Sequence, residues 1–201
     1  MDLKEIKKIA TKKHKGQKRK QGTPAILHPL GVAEILKEKG FSQEYQIAGV
    51  LHDTIEDNEE TTYEEILKIT NLEIATAVNL VTKEENYDEQ DYHDRIMKND
   101  MARMVKLADR LYNLRDAVNA NIEFQKKYIK ETMKWYVNMA KGTCFEKEIN
   151  EAIENLEKTV KRKEYKQKID RYKSTFMQKK HIEVQTDAEQ KNNKEVEEIE
   201  Y

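Results

Sequence analysis

Proline and glycine are scarce in this chain, with two and six among 201 residues. That scarcity argues against a sandwich or barrel, whose many strands need a turn residue every few positions, and favours an all-α fold with well-solvated helix faces. Cysteine is rarer still. Cys144 stands alone, which excludes an intramolecular disulfide, fits a reducing compartment and gives no support to a nucleophilic thiol. No stretch reaches the roughly 18 apolar residues of a membrane span, and the opening MDLKEIKKIATKKHK lacks the apolar run of a signal peptide, so a cytoplasmic protein that does not engage a membrane is expected. Net charge is also missing. A balance of −1 gives the whole molecule no field to draw it to nucleic acid or an anionic surface. There is no GxxxxGK[ST] motif to suggest an ATPase.

Charged residues are abundant, at 37%, and unevenly placed. Residues 1 to 20 hold nine Lys or Arg against two acids, and residues 181 to 201 hold seven acids against two Lys, so an anionic partner should meet the N-terminal side. Helical periodicity begins at once with Leu3, Ile6, Ile9 and Ala10, then gives way to a basic loop over 15–24. Pro29 suits the first turn of a second helix carrying Val32, Ile35 and Leu36, which Gly40 can close in a left-handed cap. Ser42 can cap the next, whose run Ile47, Ala48, Val50, Leu51 marks a buried central helix. Thr62 and Glu65 have capping-box spacing ahead of a short helix; Leu72 to Val81 continue helically, and a polar loop is expected around 83–91. Met101, Met104, Val105, Ala108, Leu111 and Leu114 form the stripe of a second core helix over 99–116. Helices near 122–140 and 146–173 follow, with Gly142 between them. The expected organisation is a catalytic domain over 1–140, a helical extension over 141–180 and a disordered acidic tail over 181–201.

The strongest chemical signal is LHDTIED, residues 51–57. A buried helix carrying His52, Asp53, Glu56 and Asp57 would bear a desolvation cost that a divalent cation could offset. His28 at a helix entrance and Asp109 inside an apolar stripe are two further candidates, and a mixed nitrogen and oxygen donor set with room for water suits a catalytic metal better than a closed structural one. Each has a plainer reading: His28 as a cap residue beside Pro29, the His-Asp pair as coincidence, and Asp109 as a carboxylate paired with Arg103, Arg110 or Arg115. Their occurrence in order, each at a helix start or on a buried stripe, favours the metal.

The blocks KHKGQKRKQGTPAILHPLGVAEIL, AGVLHDTIED and VKLADRLYNLRD resemble, in order and wording, the hydrolase domain of the Rel/Spo-type alarmone enzymes, and most of all the small stand-alone alarmone hydrolases. The resemblance covers about residues 3 to 140. It implies an HD-type helical bundle around one metal ion, normally Mn2+ with other divalent ions as substitutes, and hydrolysis of the 3′-pyrophosphate of ppGpp or pppGpp. It also implies that His28, His52, Asp53 and Asp109 hold the metal, that Glu56 and Asp57 position and activate water, and that Arg19 packs on the base. Asn113 would contact the nucleotide, and Lys18 and Lys20 would flank its phosphates. The extension beyond residue 140 has no counterpart in that pattern and could serve homo-oligomerisation or another partner.

Two other functions stay open at this point. An HD phosphohydrolase could act on another nucleotide such as ppApp. A nucleic-acid-binding helical module is disfavoured by the near-zero net charge and by the absence of aromatics among the N-terminal cations.

Overall fold

A computed structural model of the chain describes the backbone of residues 2–19 and 22–197, and the side chains of those residues as far as 176. Its helices are α1 (Leu3–Lys13), α2 (Leu27–Glu38), α3 (Gln43–Leu51), α4 (Tyr63–Ile69), α5 (Leu72–Val81), α6 (Glu89–Met97), α7 (Asp100–Asp116), α8 (Ile122–Glu131), α9 (Val137–Ala140) and α10 (Glu146–Glu197). A 3-10 turn, Ala117–Asn119, follows α7, and a π-helical turn, Thr132–Tyr136, links α8 to α9. Among the described residues there is no strand, only an isolated bridge between Lys18 and Pro24 inside the basic loop. The all-α expectation holds.

α7 runs through the middle of the bundle. Met101, Ala102, Met104, Val105, Leu107, Ala108, Leu111 and Leu114 are all buried on it, so it is covered on nearly every side. α2 packs on α3 and α7, and α3 also meets α1 and α5. Leu36, Ile47, Leu51, Ile74 and Leu107 lie fully buried where these helices converge; each contributes about 1.5 to 3 kcal/mol by leaving water. Gly40 takes the left-handed φ of +79° that ends α2, as its position suggests. Thr62 accepts from the Glu65 N–H at the start of α4, but Glu65 does not complete the capping box and instead pairs with Lys13 at 2.6 Å.

The structure differs from four expectations. Ser42 occupies the N-cap of α3 without a side-chain bond to the helix. The stretch 83–91, read as loop, contains the start of α6, whose Asp88 cap accepts from the Asp91 N–H; an acid-rich first turn disguised a helix that buries only Tyr92, His93 and Ile96. The bound at 140 expected for the catalytic domain falls inside the first compact unit. The first compact unit of the chain extends to Glu157, because Phe145, Ile149, Ile153 and Leu156 are buried in it and Glu148 is bonded to both Lys39 and Arg115. In place of a disordered tail from 181, the backbone of α10 is helical as far as Glu197; residues 198–201 lie outside the described residues. Ala188, Glu189, Gln190, Lys191 and Lys194 are good helix formers, so little apolar surface does not prevent a helix there.

α6 holds a titratable core group. His93 is buried, with its ring stacked on Trp135 at 4.4 Å and edge-on to Tyr136 at 5.3 Å, and its Nδ1 has no hydrogen-bond partner. Burial, reinforced by the Lys106 and Arg110 charges, pushes the imidazole down to about 4. The folded state therefore binds fewer protons here than the unfolded chain, whose histidine titrates near 6.5. This contribution to stability is complete above about pH 6.5 and is lost as pH falls towards 4. Thermal midpoints recorded between pH 7.5 and 4.5 should show a shallower acid decline for His93→Phe than for the parent; equal slopes would sink the assignment.

Candidate metal centre and substrate cavity

α2, α3 and α7 bring their chemistry to one place. His28 lies in the first turn of α2, His52 follows the last residue of α3, and Asp109 projects from the middle of α7. All three are buried, and each offers a ligand atom within 4.8 Å of the others. The His28 Nε2 stands 3.1 Å from Asp109 Oδ1 and 3.3 Å from Asp53 Oδ2, and the His52 Nε2 stands 3.0 Å from Asp53 Oδ1. Asp53 is partly buried and closes the cluster from the cavity side. The four residues singled out as metal candidates therefore face one small volume.

The HD motif itself is not helical. α3 stops at Leu51, and His52 to Glu56 form turns in which Thr54 donates to the Leu51 carbonyl and Asp57 to the Asp53 carbonyl, both at 2.9 Å. The clustering inferred from helical spacing arises instead from this tight turn. It has a chemical consequence. His52 Nδ1 lies 2.8 Å from the Gly49 carbonyl, which assigns the N–H to that nitrogen and turns Nε2, otherwise without a hydrogen bond of good geometry, towards the carboxylates. A buried imidazole nitrogen with its lone pair aimed at two carboxylates and a second histidine fits a divalent cation. Burial alone would lower the His52 pKa, yet the adjoining Asp53 carboxylate outweighs it and lifts the group to about 9. Asp53 responds to the same pairing: burial opposes ionisation, and His52 overrides it, holding the carboxyl near 2. A divalent ion held by this cluster would take the place of a proton on His52.

α7 supplies a support that sequence reading missed. Lys106 is buried with its Nζ 2.8 Å from Asp109 Oδ2, one turn away, so the carboxylate keeps Oδ1 towards the histidines. Burial works against both charges. Their mutual attraction wins, raising Lys106 and holding Asp109 well below the usual carboxylate range. Asn113 adds a hydrogen bond to Asp109 Oδ1 at 2.5 Å. The arginines considered as partners are engaged elsewhere: Arg110 with Glu131 at 2.6 Å, Arg103 with the Met139 carbonyl at 2.8 Å, and Arg115 with Glu148 at 2.5 Å. A lysine three residues before Asp109 was the available signal.

A cavity of about 420 Å³ opens on this cluster, lined by His28, Asp53 and Asp57 together with Lys18, Arg19, Phe124 and Tyr128. Arg19 is held by Asn113 Oδ1 at 2.8 Å and by Asp116 at 3.2 Å, with its guanidinium 5.5 Å from the centre of the Tyr112 ring. Tyr112 also meets His28 edge-on at 4.9 Å. It can do so because position 31 is glycine: a Cβ there would lie 2.1 Å from the Tyr112 ring. The basic loop is tied to the HD turn through Gln17, which donates to the Asp57 carbonyl at 2.8 Å and meets the buried His14 at 2.7 Å.

The acidic pair separates. Asp57 lines the cavity, and burial with the nearby Asp53 charge raises its carboxyl, whereas the Glu56 carboxylate accepts from the Lys83 N–H at 3.1 Å. Lys18 lines the cavity. Lys20 lies outside the described residues. The aromatic lining was not anticipated: Phe124 and Tyr128 are stacked at 5.4 Å, one turn apart on α8, and the Arg110 guanidinium lies over Tyr128 at 4.2 Å and Tyr136 at 3.8 Å.

Comparison with known proteins adds to this geometry. Residues 7–143 match the model of the HD domain. A zebrafish (Danio rerio) protein named guanosine-3′,5′-bis(diphosphate) 3′-pyrophosphohydrolase MESH1 is 34% identical over 150 residues, which cover 70% of this chain and 83% of that one. Its Xenopus tropicalis namesake is 36% identical over 148 residues, covering 69% and 82%. An Aquifex aeolicus guanosine-3′,5′-bis(diphosphate) 3′-pyrophosphohydrolase is 39% identical over 140 residues, 66% of this chain but 20% of that longer protein. Among solved structures, one described as a metazoan ortholog of SpoT that hydrolyses ppGpp superposes with a TM-score of 0.66 at 26% identity, covering 76% of this chain and 94% of that one.

Proposed function

The chain belongs to the HD-domain family, and on that premise we propose that it hydrolyses the 3′-pyrophosphate of guanosine alarmones, converting ppGpp to GDP and pyrophosphate and pppGpp to GTP and pyrophosphate. The observation that carries the reading is the juxtaposition of a buried His28, His52 and Asp109 cluster with a cavity that Lys18 and Arg19 also line. His28, His52, Asp53 and Asp109 would hold one divalent ion, assigned as manganese with other divalent ions as competitors. Such an ion would acidify water and neutralise developing phosphoryl charge.

The protein's own residues supply the rest. Asp57 lines the cavity beside the HD turn, where it can take a proton from the attacking water. Glu56, bonded to the backbone of Lys83, positions the turn on which Asp57 sits. Lys18 and Arg19 face the polyanion, Lys20 belongs to the same basic run, and the flat guanidinium of Arg19 packs on the base. Asn113 joins the two halves of the site, since it bonds Asp109 with its amide nitrogen and Arg19 with its oxygen. No helix among the described residues is long and apolar enough to cross a membrane. A cytoplasmic location is part of the proposal.

Purified protein with manganese should release GDP and intact pyrophosphate from ppGpp, and a chelator should stop it. The panel sets ppGpp beside pppGpp, ppApp, GTP and ATP, with products separated by chromatography. Cleavage of ppApp in preference to ppGpp would move the base assignment. Cleavage of simple nucleotides alone would leave an HD phosphohydrolase and overturn the alarmone reading.

A further inference from the structure

The match to the HD domain ends at residue 143, and α10 continues to Glu197 with a composition of its own. Residues 158 to 176 contain eight Lys or Arg against two acids, in a chain whose net charge is −1. The same segment holds three large aromatic side chains in water: Tyr165 is 67% exposed, Tyr172 74% and Phe176 54%. Together with Ile169 they are spaced four, three and four residues apart, which places them within about 60° of one another around the helix. Tyr165 and Tyr172 are about 10 Å apart along the axis, and Tyr172 and Phe176 about 6 Å. Arg162, Lys166 and Lys173 border the stripe on one side, Lys161 and Lys168 on the other, and all five are exposed.

We propose that this face of α10 binds single-stranded nucleic acid, with Tyr165, Tyr172 and Phe176 stacking on bases and the bordering cations meeting phosphates. The case against nucleic acid at the N-terminal segment was its lack of aromatics among the cations; here the two are interleaved. Cations track a backbone of regular negative charge, and aromatic rings accept any base on their faces, so the pair of features suits a strand of no particular sequence. The axial spacings are of the order of one or two nucleotide steps in an extended strand.

Other occupants fit less well. In a coiled coil the stripe would form the seam, and lysines on both of its borders would repel a second copy whether the helices ran parallel or antiparallel. A helix lying in a lipid interface needs a broad apolar face, and this one has a single aliphatic residue with cations close on either side.

The test uses the full chain and a fluorescein-labelled 15-nucleotide oligouridylate followed by anisotropy. Binding should be measurable at 50 mM salt and weaken about 50-fold at 200 mM, the slope for roughly four phosphate contacts on a single strand. Replacing Tyr165, Tyr172 and Phe176 together by Ala should weaken it about 30-fold or more at fixed salt, while Lys166→Glu with Lys173→Glu should reduce the salt slope. Hydrolase rate and helix content should be unchanged in both variants, which separates this surface from the metal site. The proposal is overturned by absence of binding at 50 mM salt, by affinity that ignores the aromatic substitutions, by tighter binding to phosphatidylserine vesicles than to the oligonucleotide, or by a native dimer that the alanine variant makes monomeric.

Discussion

Asp53→Asn and Asp109→Asn should both lose the metal and, with it, turnover, yet differ sharply in stability. Asp53 is partly buried and its carboxylate faces the two histidines from the cavity side, so its amide replacement removes a charged ligand while leaving the helices packed. Asp109 has a second duty. Its Oδ2 is the partner of the buried Lys106 ammonium at 2.8 Å, and an amide there leaves a cation in the core without its counter-charge. Breaking one side of a buried ion pair costs about 3 to 5 kcal/mol, whereas the Asp53 change should cost well under half of that. Denaturant titrations run in chelator compare the three metal-free proteins directly, and metal content with ppGpp hydrolysis is read on the same preparations. Retention of metal and rate by Asp53→Asn would remove it from the ligand set. Equal stability of the two variants would mean that Lys106 does not depend on Asp109.

How much of this was readable before the fold was known varies with the kind of evidence. α7 declared itself through an apolar stripe of period 3.6, and Asp109 stood out as the carboxylate that broke the stripe. His28 was placed at its helix entrance by the proline that follows it. The HD turn was harder. Helical spacing and a tight turn both put four polar side chains close together, and only the halt of α3 at Leu51 distinguishes them. Lys106 was missed because a lysine in a helix is ordinarily a solvated one, and its burial follows from α7 being enclosed by its neighbours. Tyr112 and Gly31 illustrate a different limit: each is unremarkable alone, and their relation depends on the approach of α2 to α7. The Tyr128 and Tyr136 pair around Arg110 spans the single π-helical turn Thr132–Tyr136, whose wider winding helps bring residues eight apart to one side. No local sequence signal announces that widening.

The separation of Glu56 from Asp57 sets up the second large effect. Asp57→Asn should keep metal, substrate affinity and fold while lowering kcat by about two to four powers of ten, the range expected when a positioned base is replaced by a group that cannot accept a proton. Its side chain is about half exposed and lines the cavity, and its backbone N–H still bonds the Asp53 carbonyl in the variant, so the turn that presents Asp53 should persist. Glu56→Gln acts through a different contact. A glutamine oxygen can still accept from the Lys83 N–H, and the expected loss in kcat is therefore smaller, about tenfold, with Glu56→Ala falling further as the turn loosens. Metal content, KM and kcat measured on all three variants distinguish the roles. If Asp57→Asn releases the metal to the extent of Asp53→Asn, the carboxylate is a ligand and not the base. If Glu56→Gln falls as far as Asp57→Asn while keeping its metal, then Glu56 turns from the Lys83 backbone into the cavity when substrate binds, and the proton is shared between the two acids.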